Sequence, residues 1–224
     1  MNTLSNVKTL RGEENPLSVG LAPDAFPEAQ SSKTGVSVRY VPDPDKSWFV
    51  FRASYGREDR ASDYIVEDGT YTYIAKKYVE KYVGGIRKRF LQPLIPNLLF
   101  VYTTPDQATA YIKNTPPISF LSYYYNHFEK NEEHQNPPLI IPPKEMEAFM
   151  RATCSHNQHM LFVSPDKVRF RSGETVRIVE GAFKGVEGKV ARISGQQRVV
   201  VSLAQLGYVT TAYIPSAFLQ KLDP

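Results

Sequence analysis

Gly173-Glu-Thr-Val-Arg-Ile-Val-Glu-Gly181-Ala-Phe183-Lys-Gly185-Val-Glu-Gly188-Lys-Val190 decides the fold of the C-terminal part of the chain. Val176 and Ile178 alternate with Thr175, Arg177 and Val179, the period of two that a strand with one buried face requires. Gly181, Gly185 and Gly188 follow at turn spacing and supply positions of positive φ or close backbone approach, so that a short strand can double back. Residues 198–203 read as the hairpin partner of residues 186–193, residues 208–214 as a further strand, and Phe218 and Leu219 as the base. These features predict a small five-stranded β-barrel over residues 168–224. A unit of that size has little room for a buried active site and is suited to presenting an edge or loop to a partner.

Working outward, residues 155–167 are polar and rich in breakers, Ser164-Pro165-Asp166 among them, and are expected to be an interdomain linker. Residues 47–154 carry strand and helix signals in alternation. Ser47-Trp48-Phe49-Val50-Phe51-Arg52-Ala53 is an aromatic and β-branched run that reads as a central strand, with Trp48 in the core. Ala61, Tyr64, Ile65 and Asp68 fall at helical spacing before Gly69. Residues 70–82 read as extended, Gly84-Gly85 as a turn, and residues 98–102, apolar on both faces, as another central strand. Thr104-Pro105-Asp106-Gln107 combines an N-cap, a proline at the first helical position and a Gln three residues after the cap. Residues 118–124 make a further strand, and Met146, Phe149 and Met150 mark one face of a helix ending near Cys154. The fold class is α+β: an N-terminal α/β sandwich, an antiparallel sheet flanked by helices, followed by the barrel. Residues 1–46, with scattered apolar residues among Pro, Ser, Asn and acids, are expected to be a disordered extension, with a short strand at residues 36–41 as the exception.

Composition narrows the function. A net charge of +4 over 224 residues permits contact with nucleic acid without demanding it. The single cysteine, Cys154, allows no intramolecular disulfide and suits a reducing compartment. The N-terminal residues lack the charged and apolar regions of a secretory signal, and the apolar run at residues 94–102 falls short of the roughly 20 residues of a membrane span, so a cytoplasmic protein with no membrane contact is expected. Gly185-Val-Glu-Gly188-Lys189-Val190 lacks the upstream glycine and the hydroxyl residue of a phosphate loop, no nucleophile elbow or zinc-protease helix occurs, and no acidic pair has a buried seat. The expectation is therefore a protein that is not an enzyme and needs no cofactor. Cys154, His156 and His159 form a compact Cys-x-His-x-x-His cluster, a set of soft ligands without a second cysteine pair, and no metal is assigned to it. Lys76, Lys77, Lys81, Arg87, Lys88 and Arg89, interleaved with Tyr73, Tyr78 and Tyr82, form a candidate surface for phosphates and unpaired bases.

The glycine-punctuated stretch matches the KOW motif, and an α/β unit opening on Trp-aromatic-Val ahead of it resembles the NusG family of transcription elongation factors, with their NGN and KOW domains. Trp48 to Glu58, ending in Gly56-Arg57-Glu58, is similar to that family's opening strand and helix start. Leu94-Ile95-Pro96-Asn97-Leu98-Leu99-Phe100-Val101 is similar to its Phe-Pro-Gly-Tyr-Leu-Phe-Val strand entry. Asn97 and Leu98 depart from that pattern and, with Gly84-Gly85-Ile86-Arg87-Lys88-Arg89, resemble the specialised UpxY-like paralogues, operon-specific antiterminators of surface-polysaccharide operons. The resemblance implies a monomer that rides on RNA polymerase. Its clamp would be met by Leu94, Ile95, Pro96 and Leu98, with Tyr55 and Phe90 beside them. It also implies non-template DNA or nascent RNA at the basic set, and a termination factor or ribosomal protein at a KOW loop formed by Ala182, Phe183 and Lys184. In an extended segment Ile95 and Leu98 would point opposite ways, so that both could not be core. The alternative function is an RNA-binding or ribosome-associated KOW module.

Overall fold

The computed structural model describes residues 26–164, 169–193 and 195–222. The expectation of disorder over residues 1–25, the end of the expected linker at residues 165–167 and the first residue of the expected barrel, 168, lie outside them. In chain order the elements are β1 (Ala29–Gln30), β2 (Ser37–Val38), β3 (Ser47–Ala53), α1 (Glu58–Glu67), β4 (Tyr71–Tyr73), β5 (Lys76–Val83), β6 (Ile86–Pro93), β7 (Leu98–Thr103), α2 (Pro105–Lys113), β8 (Leu121–Tyr123), β9 (Ile140–Ile141), α3 (Pro143–Thr153), β10 (Leu161–Val163), β11 (Arg169–Ile178), β12 (Glu187–Ile193), β13 (Gln196–Leu203), β14 (Gly207–Tyr213) and β15 (Leu219–Lys221). Among the described residues no helix is long and apolar enough to cross a membrane.

The N-terminal sheet runs β4-β7-β3-β8, with β9 also paired to β3, and every pairing is antiparallel. Both faces of its central strands are apolar, and the pleat sorts them. Phe49, Phe51, Leu99 and Val101 meet Ala61 and Ile65 of α1 and Ala108 and Tyr111 of α2 in one cluster, while Trp48, Val50, Phe100 and Tyr102 meet α3 on the other side. The start of α2 is fixed as its sequence requires: Thr104 Oγ1 accepts the Gln107 N–H at 3.3 Å and Pro105 occupies the first turn. The third strand expected at residues 118–124 is shorter, because Pro116–Ile118 closes a 3-10 turn first.

Residues 26–46 are not a free extension. Strands β1 and β2 pair as a small hairpin, Ser32 donates to Asp63 from both its N–H (2.7 Å) and Oγ (2.6 Å), and Ser31 Oγ donates to Glu67 at 2.8 Å. Tyr40 then packs among Trp48, Tyr71 and Tyr102, with ring centroids 4.9–5.7 Å apart. Long-range bonds to α1 and one aromatic anchor, rather than local periodicity, order this segment.

The C-terminal sheet has the order β10-β14-β13-β12-β11-β15. Its last five strands are those of the expected barrel, and the alternation holds: Val176 and Ile178 are buried while Thr175 and Arg177 are exposed. The sixth strand is a correction. Leu161–Val163 lies within the expected linker yet pairs with Val209 and its neighbours on β14. The segment is further held by Arg198, whose Nη1 donates to the His159 carbonyl at 2.9 Å. A tether free of contacts would leave these backbone groups to water; here they complete the sheet.

Three buried phenols give the fold an alkaline limit. Burial raises the pKa of Tyr71 and Tyr73 well above the usual range, and burial, reinforced by the Asp68 carboxylate that accepts its O–H at 2.6 Å, pushes Tyr111 up to about 12. A phenol whose folded pKa lies above its unfolded value of about 10 stabilises the fold fully below pH ~10, and that stability is lost as pH rises through the folded pKa. The urea midpoint should therefore be flat from about pH 7 to 9 and fall above about 10, and Tyr111→Phe should soften the fall. A midpoint unchanged at about pH 11 would contradict this.

Candidate polymerase-binding site

Two turns interlock at the end of the N-terminal sheet where β3 stops and β7 begins. Asn97 has φ +64° and Tyr55 φ +62°, both in the left-handed region. The Asn97 carbonyl accepts the Ala53 N–H at 2.9 Å and its Oδ1 accepts the Gly56 N–H at 2.9 Å. Asparagine reaches this conformation more readily than other side chains, and the amide compensates by bonding the neighbouring turn. The departure from glycine at position 97 thus has a structural counterpart. Tyrosine has no such excuse. Tyr55 is 93% exposed and held on a left-handed backbone with its ring beside Arg57, whose guanidinium carbon lies 5.6 Å from the ring centroid. An exposed aromatic residue on a strained backbone is a candidate contact residue.

The neighbouring apolar residues lie differently from expectation. Leu94 and Ile95 are both buried, as is Leu98, while Pro96 is exposed. The opposed-face argument fails because β6 ends at Pro93 and residues 94–97 are a turn, so strand alternation does not govern them. Ile95, Pro96, Asn97 and Leu98, together with Arg52 and Tyr124, line one wall of a cleft of about 260 Å³. Phe162 of β10 and Leu206 of the β13–β14 turn form its other wall. The C-terminal unit therefore stands against the candidate surface. Helix α3 is the shared layer: it packs on the N-terminal sheet and against β13 and β14, and the apolar cluster runs without a break from Trp48 through Met146, Phe149 and Met150 to Val201, Leu203 and Val209. At its edge the Glu145 carboxylate accepts the backbone N–H of Ala204, itself at φ +46°. Phe90, on β6, is 38% exposed and belongs to a hairpin away from this wall.

At the KOW loop, Ala182 and Lys184 are exposed, but Phe183 is a correction. Its side chain is 3% exposed and lies in the main apolar cluster, because a turn closed by Val186 N–H onto the Phe183 carbonyl rolls the ring inward. The basic set also divides. Lys76 pairs with Asp59 at 2.6 Å, Lys77 Nζ donates to the Met160 carbonyl at 3.3 Å, Arg87 pairs with Glu80, and Arg89 lies over the Tyr78 ring at 3.7 Å; Lys81 and Lys88 have no such partners among the described residues. Cys154, His156 and His159 do not converge. The Cys154 thiol donates to the Arg151 carbonyl, His156 Nδ1–H donates to the Cys154 carbonyl at 2.7 Å, and His159 Nε2 faces Gln158. Burial raises the Cys154 pKa, which disfavours the thiolate a metal would need.

The α/β unit and the small β-unit share one apolar core and border an open cleft at the residue 94–98 turn. Residues 46–150 match the family model described as transcription termination factor nusG, and residues 172–202 match that of the KOW motif. The chain is also similar to the transcription termination/antitermination protein NusG of Streptococcus pyogenes serotypes M3, M1 and M18, 23% identical in each case over 180 residues, which is 76% of this chain and 93% of the relative. The chain thus carries a region that matches the nusG model ahead of a KOW motif.

Proposed function

We propose that this protein is a transcription termination/antitermination factor that acts by binding: its N-terminal unit docks on the clamp of RNA polymerase, holds the clamp closed and so disfavours pausing. The observation that carries the proposal is the match of the two family models in series, and the strained, exposed Tyr55 beside the residue 94–98 turn supports the location of the dock. No covalent step is involved; a ligand that binds one state of the polymerase better shifts the equilibrium towards it by its differential affinity. The resemblance of Asn97, Leu98 and the Gly84–Arg89 stretch to UpxY-like paralogues supports a surface-polysaccharide operon as the target. A termination factor or ribosomal protein would meet the KOW loop through Ala182 and Lys184, since Phe183 faces inward.

The described arrangement is, in this reading, a closed form: Phe162 and Leu206 cover Ile95 and Leu98, and full docking requires the C-terminal unit to move off α3. Tyr55→Gly tests the dock without touching the core. Glycine takes the left-handed backbone without strain, so the variant should be at least as stable as the parent, by up to about 1 kcal/mol, yet should co-purify with RNA polymerase several-fold less. Unchanged co-purification would remove Tyr55 from the surface. Binding that needs no polymerase and weakens steeply with salt would favour the RNA-binding alternative.

A further inference from the structure

Strands β5 and β6 form a two-stranded ribbon that pairs with no other strand among the described residues, turned at Gly84 and Gly85, both at positive φ. Its register sorts the side chains into two unlike faces. Residues directly opposite one another project from the same side, and the side alternates along each strand. One face carries Lys76, Tyr78, Glu80 and Tyr82 opposite Pro93, Leu91, Arg89 and Arg87. The charged groups on that face are partnered: Arg87 pairs with Glu80, Arg89 stacks on Tyr78, Lys76 reaches Asp59 of α1, and the Tyr78 N–H donates to the His156 carbonyl at 3.1 Å.

The other face carries Lys77, Val79, Lys81 and Val83 opposite Gln92, Phe90, Lys88 and Ile86, with no carboxylate among them. Lys81 stands directly across from Lys88, and neither has an ion pair or hydrogen bond among the described residues. Like charges in that position repel. On either side of the pair, Val83, Ile86 and Phe90 are 46%, 64% and 38% exposed. An isolated two-stranded ribbon is marginal on its own, and one that keeps two facing lysines between bare apolar side chains is built for an anionic surface with apolar recesses.

We propose that this face, and not the Tyr/Arg face, binds duplex DNA, with Lys81 and Lys88 on backbone phosphates and the Val83–Ile86 tip in the major groove. A β-ribbon fits the major groove of B-DNA, which is about 12 Å wide and offers thymine methyl groups to an apolar tip, whereas the deep, narrow major groove of an RNA duplex does not admit it. Single strands are the poorer fit: they call for successive stacking aromatics, and this face offers Phe90 alone. The proposal goes beyond polymerase docking and stands or falls without it.

The test is fluorescence anisotropy of the full chain with a labelled duplex DNA of about 20 base pairs of arbitrary sequence, between about 50 and 200 mM salt, with no polymerase present. A duplex RNA and the isolated DNA strand are run in parallel. Lys81→Gln with Lys88→Gln should weaken duplex binding about tenfold at the lower salt and reduce the log–log salt slope by about 2. Arg87→Gln with Arg89→Gln should change affinity by less than about twofold, since those charges are already partnered. Both pairs lie on the surface, so thermal midpoints should match the parent. Binding of the DNA duplex in this pattern supports the proposal. Unchanged affinity in the double lysine variant, equal loss in the arginine variant, or tighter binding of the RNA duplex or the single strand would overturn it.

Discussion

Gly188→Ala should unfold the C-terminal sheet locally, at about 2–3 kcal/mol, whereas Gly185→Ala should be tolerated at about 1 kcal/mol. The two glycines lie in one stretch of sequence and serve different physics. Gly185 has φ +87° and open space where a Cβ would stand, so a side chain there meets only the left-handed penalty. Gly188 lies within β12 opposite Val176, and a Cβ on it would fall 2.4 Å from the Val200 carbonyl oxygen and 3.0 Å from Val199 Cγ1. A backbone atom of the neighbouring strand cannot swing aside, so the strand pair must separate. Asparagine should accordingly be acceptable at 185 and as damaging as alanine at 188. Hydrogen exchange of peptides from β12 and β13 reads the effect, because the only tryptophan, Trp48, lies in the N-terminal sheet. Equal protection in the two alanine variants would contradict it.

The second large effect concerns the cleft. Phe162→Asp combined with Leu206→Asp places carboxylates against Ile95 and Leu98, while both parent side chains are only half-buried, so the strands that carry them should survive. Desolvating two unpaired carboxylates against an apolar wall is strongly unfavourable, and the cleft should open. Co-purification with RNA polymerase should rise by about tenfold, equivalent to about 1.4 kcal/mol of closure removed. Glu145→Gln, which weakens only the acceptor for the Ala204 N–H, should act in the same direction and more weakly. Loss of polymerase binding in the opened variant with an intact fold would mean that Phe162 and Leu206 help to build the dock rather than cover it.

What was legible in the sequence was what local chemistry dictates. The alternation about Val176 and Ile178, the Thr104-Pro105-Gln107 cap and the Gly84-Gly85 turn each specify their element within a few residues, and each element is present. The misreadings share a cause in long-range contact. Phe183 stands between glycines, where exposure is the ordinary expectation, but the ring has an apolar core beneath it. β10 is three residues long and acquires its meaning from β14. Residues 26–46 contain no periodic run, and their order comes from serines that bond α1 and from Tyr40. The basic set could be read as one patch in sequence because the strand register that splits it into a partnered face and a bare one is a property of the pairing.

Docking on RNA polymerase is tested most directly by a photo-crosslinking phenylalanine analogue in place of Tyr55, an aromatic substitution at a side chain that is 93% exposed. In full-length protein added to transcribing RNA polymerase, illumination should join position 55 to the polymerase clamp, with a higher yield when Phe162 and Leu206 are replaced by Asp. Crosslinks confined to nucleic acid or to ribosomal protein, with none to polymerase in either form, would contradict a protein that works by gripping the transcription machine.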